Sequence, residues 1–155
     1  MMLKKVFQSA IPFSDSHEAD ILFFNCCDFR FRPQAQEFLG NKKADLIIFP
    51  GGVMLFVGEK YGHADLKTGA IYWAKAMVKL HHIKEIYLTV HQGCGAYASA
   101  PKLVGKTEKE IYDMQLVDVL EVKAILQAEI PNVKVAAYYM GLSADKQMVE
   151  IGELT

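Results

Sequence analysis

Ala19-Asp20-Ile21-Leu22-Phe23-Phe24-Asn25, running directly into Cys26-Cys27-Asp28-Phe29-Arg30, is the stretch that decides how this chain reads. An unalternating apolar run rich in β-formers suits a strand buried on both faces of a parallel sheet, and Cys26 then sits where that strand ends. Downstream, Pro33 can start a short helix and Gly40 can stop it. Ala44 to Phe49 repeats the buried-strand pattern and closes on Pro50-Gly51-Gly52. A strand–helix–strand unit is implied.

The alternation continues along the chain. Between Asp65 and His81, apolar residues Ala70, Ile71, Ala74, Met77 and Val78 recur at helical spacing, and Glu85 to Val90 reads as a third buried strand with His91 at its end. Thr107-Glu108-Lys109-Glu110 has the form of a capping box. Ile111, Met114, Val117, Leu120 and Ala124 then form the expected inward face of a helix that stops by Pro131, and Val133 to Tyr139 is a fourth strand. Strands alternating with helices predict an α/β fold: a mostly parallel sheet of four to five strands, flanked by helices on both faces and joined by right-handed crossovers. Ligands of such sheets gather beyond the carboxyl ends of the strands, where Cys26 and His91 both fall.

Composition narrows the function classes. A chain of 155 residues, 52% hydrophobic, fits one compact domain, expected over residues 19–155 with the first 18 as an N-terminal arm. With 17 basic against 18 acidic residues there is no positive field to hold a phosphate backbone, so nucleic acid is not an expected partner. The longest apolar stretch, Leu46 to Val57, is interrupted by Pro50-Gly51-Gly52 and falls short of the roughly 20 residues that cross a bilayer, so no membrane partner is expected either. Three cysteines cannot complete a disulfide framework and no secretory leader pattern opens the sequence, which leads to the expectation of a reducing, cytoplasmic setting.

The candidate chemistry lies in two short motifs. Cys26, Asp28 and Arg30 are spaced by two, so extended backbone would project all three to one side, with Arg30 gripping the Asp28 carboxylate. His91 and Cys94, in His91-Gln92-Gly93-Cys94-Gly95, are spaced to aim at one ion. Two thiolates and an imidazole suit zinc, and three protein ligands leave a fourth tetrahedral position for water, substrate or Asp28 itself. Cys27 is expected to point away and pack in the core, and His63, His81 and His82 to be solvent-facing or helix-end histidines. Met54, Met77, Met114 and the aromatics are expected to fill core or an oligomer interface.

Taken together, the two motifs make the sequence resemble the β-class carbonic anhydrases. The signature of that family is Cys-x-Asp-x-Arg after the first strand and His-x-x-Cys-Gly after a later one, and both halves stand here in that order. The resemblance extends over strand and helix order from about Ala19 to Leu142. It implies that Cys26, His91 and Cys94 hold Zn2+ and that Asp28 and Arg30 form the catalytic dyad, Asp28 being able to swing onto the metal as a fourth ligand. It further implies reversible hydration of carbon dioxide to bicarbonate by zinc-bound hydroxide, and assembly as a homodimer or higher homo-oligomer.

The chain also departs from that pattern. Phe49-Pro50-Gly51-Gly52-Val53 replaces an Arg-Asn-Ala-Gly-Asn stretch, removing a charge and two amides beside the expected pocket, whose apolar walls would include Phe29, Phe31, Val53 and Leu55. Two alternatives therefore accompany carbonic anhydrase chemistry: a related zinc hydrolase acting on carbon disulfide or carbonyl sulfide, and a non-catalytic protein in which zinc staples two strand ends.

Overall fold

A computed structural model describes residues 5–155. Five strands, β1 (Ile21–Cys26), β2 (Ala44–Phe49), β3 (Glu85–His91), β4 (Lys134–Leu142) and β5 (Val149–Leu154), form one sheet in the order β2-β1-β3-β4-β5. The first four are parallel, and β5 returns antiparallel to β4 as the far edge. Helices α1 (Arg32–Leu39), α3 (Lys67–His81) and α5 (Glu108–Glu129) are joined by single-turn helices α2 (Met54–Val57) and α4 (Gly95–Ala98).

The apolar run at Ile21 gives a strand buried along its whole length, and its side chains alternate between two cores. Leu22, Phe24 and Cys26 face a layer containing α2 to α5, where Ala70, Ala74, Val119, Val122 and Leu126 pack. Ile21 and Phe23 face α1, against Phe31, Ala35 and Leu39. Pro33 sits in the first turn of α1 and Gly40 ends it, as the sequence predicts. Thr107 caps α5 through the full capping box with Glu110.

Two expectations are corrected. β2 is not buried on both faces. As an edge strand whose one partner strand among the described residues is β1, it leaves Leu46 53% and Ile48 44% exposed. The inward face of α5 is also rotated from the apolar stripe: Ile111 is buried, but Val117, Leu120 and Ala124 face outward while Gln115 and Asp118 point in. Both polar residues have buried partners that repay their desolvation, which periodicity cannot register. β5 was not singled out in the sequence, although Val149-Glu150-Ile151 carries the alternation of an edge strand. Residues 5–18 contain no helix or strand and are all exposed; residues 1–4 of the expected arm lie outside the described residues.

The sheet order reverses at β1. Its carboxyl end leads toward β2 on one side, whereas the chain reaches β3 on the other, so a crevice opens beyond the ends of β1 and β3. Cys26 is the last residue of β1 and His91 the last of β3.

Candidate metal centre

Cys26, His91 and Cys94 converge in this crevice, all three buried, with their ligating atoms within 4.8 Å of one another. The sulfurs of Cys26 and Cys94 are 3.9 Å apart. Two zinc–sulfur bonds of about 2.3 Å meeting at the tetrahedral angle would put the sulfurs about 3.8 Å apart, so the spacing fits the metal. The His91 imidazole fits as well. Its Nδ1 lies 2.9 Å from the Gln92 carbonyl oxygen, which can only accept, so the ring proton sits on Nδ1. The Nε2 lone pair is thereby left to the crevice, buried and without a hydrogen-bond partner among the described residues. A buried imidazole nitrogen with nothing to bind is what a ligand position looks like before metal is considered.

Local structure holds these groups in place. Pro50-Gly51-Gly52 folds back so that the Gly51 N–H donates to Cys26 Sγ at 3.3 Å. The hydrogen bond between the two sulfurs is the main cause of a Cys26 thiol held well below the ordinary range despite burial; the same bond, together with desolvation, pushes Cys94 the other way. The Phe31 ring packs on the His91 imidazole with centroids 4.5 Å apart.

Asp28 and Arg30 meet, though not through simple strand alternation. The backbone leaves β1 and turns into a 3-10 turn over Phe29–Phe31, with Asp28 as its cap. Arg30 Nε lies 3.0 and 3.1 Å from the two carboxylate oxygens, its Nη2 is 2.6 Å from Oδ2, and its backbone N–H adds a bond of 3.0 Å. Nη2 also donates to the Gly93 carbonyl at 3.0 Å, tying the first motif to the second. The carboxylate reaches to 4.0 Å from His91 Nε2. The Arg30 hydrogen bonds, which outweigh partial burial, hold the Asp28 carboxyl down to about 2. Because this lies below the unfolded value, the ion pair stabilises the fold above about pH 4 and that contribution fades as pH falls toward 2. Carbon-detected NMR of the Asp28 carboxyl is expected to show it ionised down to that range, and Arg30→Gln to move its titration up toward ordinary carboxylates. A midpoint that Arg30→Gln leaves in place would mean the guanidinium is not what holds it.

Other expected positions differ. Cys27 is exposed rather than packed in the core, because β1 ends one residue before it. None of the expected pocket walls lines the cavity beside the cysteines. Phe29 is exposed, Phe31 is taken up by His91, Val53 is buried in the core, and Leu55 lines a separate groove. The cavity that is present, about 370 Å³, is walled by Phe49, Pro50, Met54, Leu66 and Ala96, with His63 and Ser99 as polar members. Phe49 pairs with Cys26 in the sheet, and Ala96 lies two residues past Cys94. A larger cavity of about 830 Å³ lies between the start of α5 and the β4–β5 edge, and Cys26, His91 and Cys94 themselves line neither it nor the smaller one.

No family model matches the chain. A protein of Rickettsia bellii (strain RML369-C), described as uncharacterized, is 27% identical over 139 residues, or 81% of this chain and 79% of its own. Among solved structures, a β-carbonic anhydrase of Aspergillus fumigatus superposes with a TM-score of 0.58 at 14% identity, covering 94% of this chain and 95% of that one. A tetrameric β-carbonic anhydrase of Sordaria macrospora gives 0.57 at 14% identity over 88% and 81%. A carbon disulfide hydrolase in its apo form gives 0.54 at 14% identity over 86% and 80%. At such identities the likeness is one of architecture, and it is consistent across these structures: the protein has the fold of the β-carbonic anhydrases.

Proposed function

We propose that this chain is a zinc-dependent enzyme that interconverts carbon dioxide and water with bicarbonate and a proton. The observation that carries the reading is the buried Cys26–His91–Cys94 cluster, with its sulfur spacing and its unpartnered His91 Nε2, at the switch point of a β-carbonic anhydrase fold. Zinc held by Cys26, His91 and Cys94 would act as a Lewis acid that makes water nucleophilic, and two thiolates place more negative charge on it than the three imidazoles of the carbonic anhydrases whose bound water has a pKa of about 7, so activity is expected to climb from pH 7 to pH 9.

The remaining chemistry falls to the chain itself. Asp28, ionised throughout the working range, is too weak a base to keep a proton and serves instead as a fixed hydrogen-bond acceptor that orients the attacking water. Arg30 fixes the direction of that acceptor and couples it to the Gly93 turn. The released proton passes to solvent or buffer. The apolar cavity beside the cysteines suits a small neutral electrophile, which water does not compete for strongly. Stopped-flow carbon dioxide hydration by protein of verified zinc content, at pH 7 and pH 9, tests the reading, and an inert zinc-loaded chain would refute it.

Carbon disulfide or carbonyl sulfide hydrolysis is the second reading, favoured by Phe49-Pro50-Gly51-Gly52 and the apolar walls it supplies. Turnover of each gas by the same sample separates the two. Assembly into a homodimer or larger homo-oligomer is part of the proposal. Its support is the free edge of β2, with Leu46 and Ile48 bare on one face and, on the other, a groove of about 470 Å³ walled by Ile47, Leu55, Leu66, Trp73 and Met77. Light scattering is expected to give a multiple of the chain mass, and Trp73→Glu to lower it; a monomer at micromolar concentration would refute this part.

A further inference from the structure

The inward face of α5 carries a carboxylate and a carboxamide where aliphatic side chains would fill the space. Gln115 and Asp118, three residues apart and each 1% exposed, face the two halves of the metal cluster. Gln115 Nε2 donates to the His91 carbonyl at 3.0 Å. That carbonyl belongs to the peptide linking His91 to Gln92, whose own carbonyl receives the His91 ring proton. One amide side chain thus fixes the peptide about which the imidazole is oriented.

Asp118 acts on the other half. It accepts hydrogen bonds from Tyr97 at 3.0 Å and Tyr61 at 2.6 Å, with Lys60 Nζ at 3.2 Å. Tyr97 is wholly buried in α4, the turn that follows Cys94, and the Cys94 carbonyl accepts the Ala98 N–H of the same turn at 3.0 Å. The backbone carrying Cys94 is therefore pinned through Tyr97 to the same helix face that pins His91. Burying a carboxylate is costly, and an apolar residue of similar volume is often no less stable. Departures from apolar packing of this kind concentrate at functional sites.

We propose that Gln115 and Asp118 are positioning residues for the Cys26–His91–Cys94 chelate, Gln115 through the His91 main chain and Asp118 through Tyr97. The inference rests on the metal reading above and adds to it a part of the chain remote in sequence from either motif. Loss of groups that orient metal ligands typically weakens metal binding about 10–100-fold.

The test is cobalt(II) titration of metal-free protein against a competing chelator, reading affinity and the visible d–d bands, for wild type, Gln115→Leu, Tyr97→Phe and the outward-facing control Val117→Gln. Tyr97→Phe deletes a single hydroxyl and keeps the packing, so it reports even if Gln115→Leu folds poorly. Affinity losses of about 10-fold or more in Gln115→Leu or Tyr97→Phe, with altered bands, would support the inference if the metal-free melting temperature stays within a few degrees of wild type and the control binds normally. Losses under about threefold in both variants, an equal loss in the control, or a loss that merely follows a drop in metal-free melting would overturn it. A wild-type chain that takes up no cobalt would instead sink the metal reading and this inference together.

Discussion

Asp28→Ala is expected to cut carbon dioxide hydration by at least about 100-fold while the protein still binds one zinc per chain. The size of the effect follows from geometry. The carboxylate lies within 4.0 Å of His91 Nε2, and four contacts from Arg30 fix its direction. A side chain held this tightly has lost its rotamer freedom before substrate arrives, which is what positioning an attacking water requires. Alanine removes the acceptor and leaves the Arg30 guanidinium with the Gly93 carbonyl as its remaining partner among the described residues. Zinc content should hold because Cys26, His91 and Cys94 are buried and positioned by other contacts, the Gly51 N–H and the Gln115 amide among them. Metal analysis alongside stopped-flow rates separates the readings. Lost metal with no activity in either protein would make Asp28 a permanent fourth ligand of a structural site. Unchanged activity would remove Asp28 from the mechanism.

What could be read from the sequence depended on whether a residue's partners were local. β1 was legible because Ile21 to Phe24 admits no amphipathic arrangement, and burial on both faces is the way an unbroken apolar run avoids water. Cys26 and His91 followed, since each is the last residue of a strand and strand ends are where parallel sheets present their ligands. The ion pair of Asp28 with Arg30 was legible from spacing, although the 3-10 turn that brings them together was not. The face of α5 was misread for a physical reason. Val117 and Leu120 repeat at helical spacing as core residues do, whereas Gln115 and Asp118 are buried through bonds to His91, Tyr61 and Tyr97, residues 21 to 57 positions away in pairings no local window contains. β2 was misread similarly, because its apolar pattern matches that of β1 and nothing in it says that only one neighbour lies alongside. The cavity walls were missed because four separate segments supply them, the end of β2 with Pro50, α2, the stretch before α3 and the α4 turn.

The turn after β2 sets the second large effect: Gly52→Ala is expected to cost about 3 kcal/mol and to weaken metal binding at the same time. Gly52 has φ of +57°, and a Cβ there would stand 2.7 Å from the Thr89 carbonyl oxygen and 3.3 Å from the Cys26 nitrogen. The left-handed conformation alone costs an L-residue about 1–2 kcal/mol, and forcing atoms into close-packed surroundings adds about 1–3 kcal/mol. Neither obstacle can rotate away, since both are main-chain atoms of the central strands β1 and β3. The Thr89 side chain is also committed, with its hydroxyl 2.8 Å from Asn25 Oδ1 and 3.0 Å from the Phe24 carbonyl. Relief must come from moving the turn, which carries the Gly51 N–H away from Cys26 Sγ. For a chain of this size a loss of 3 kcal/mol corresponds to a fall of roughly 10 °C in melting temperature. Gly51→Ala is the informative comparison. Its φ of +74° imposes a similar backbone cost, but its new Cβ would meet the Met54 side chain, whose Sδ and Cγ at 2.7 and 2.9 Å can swing aside, leaving the Met54 Cβ at 3.0 Å as the fixed contact. Thermal melts and cobalt affinity of the two variants should therefore rank Gly52→Ala well below Gly51→Ala, and equal losses would show that backbone conformation, rather than the close approach of the turn to β1 and β3, is what glycine supplies here.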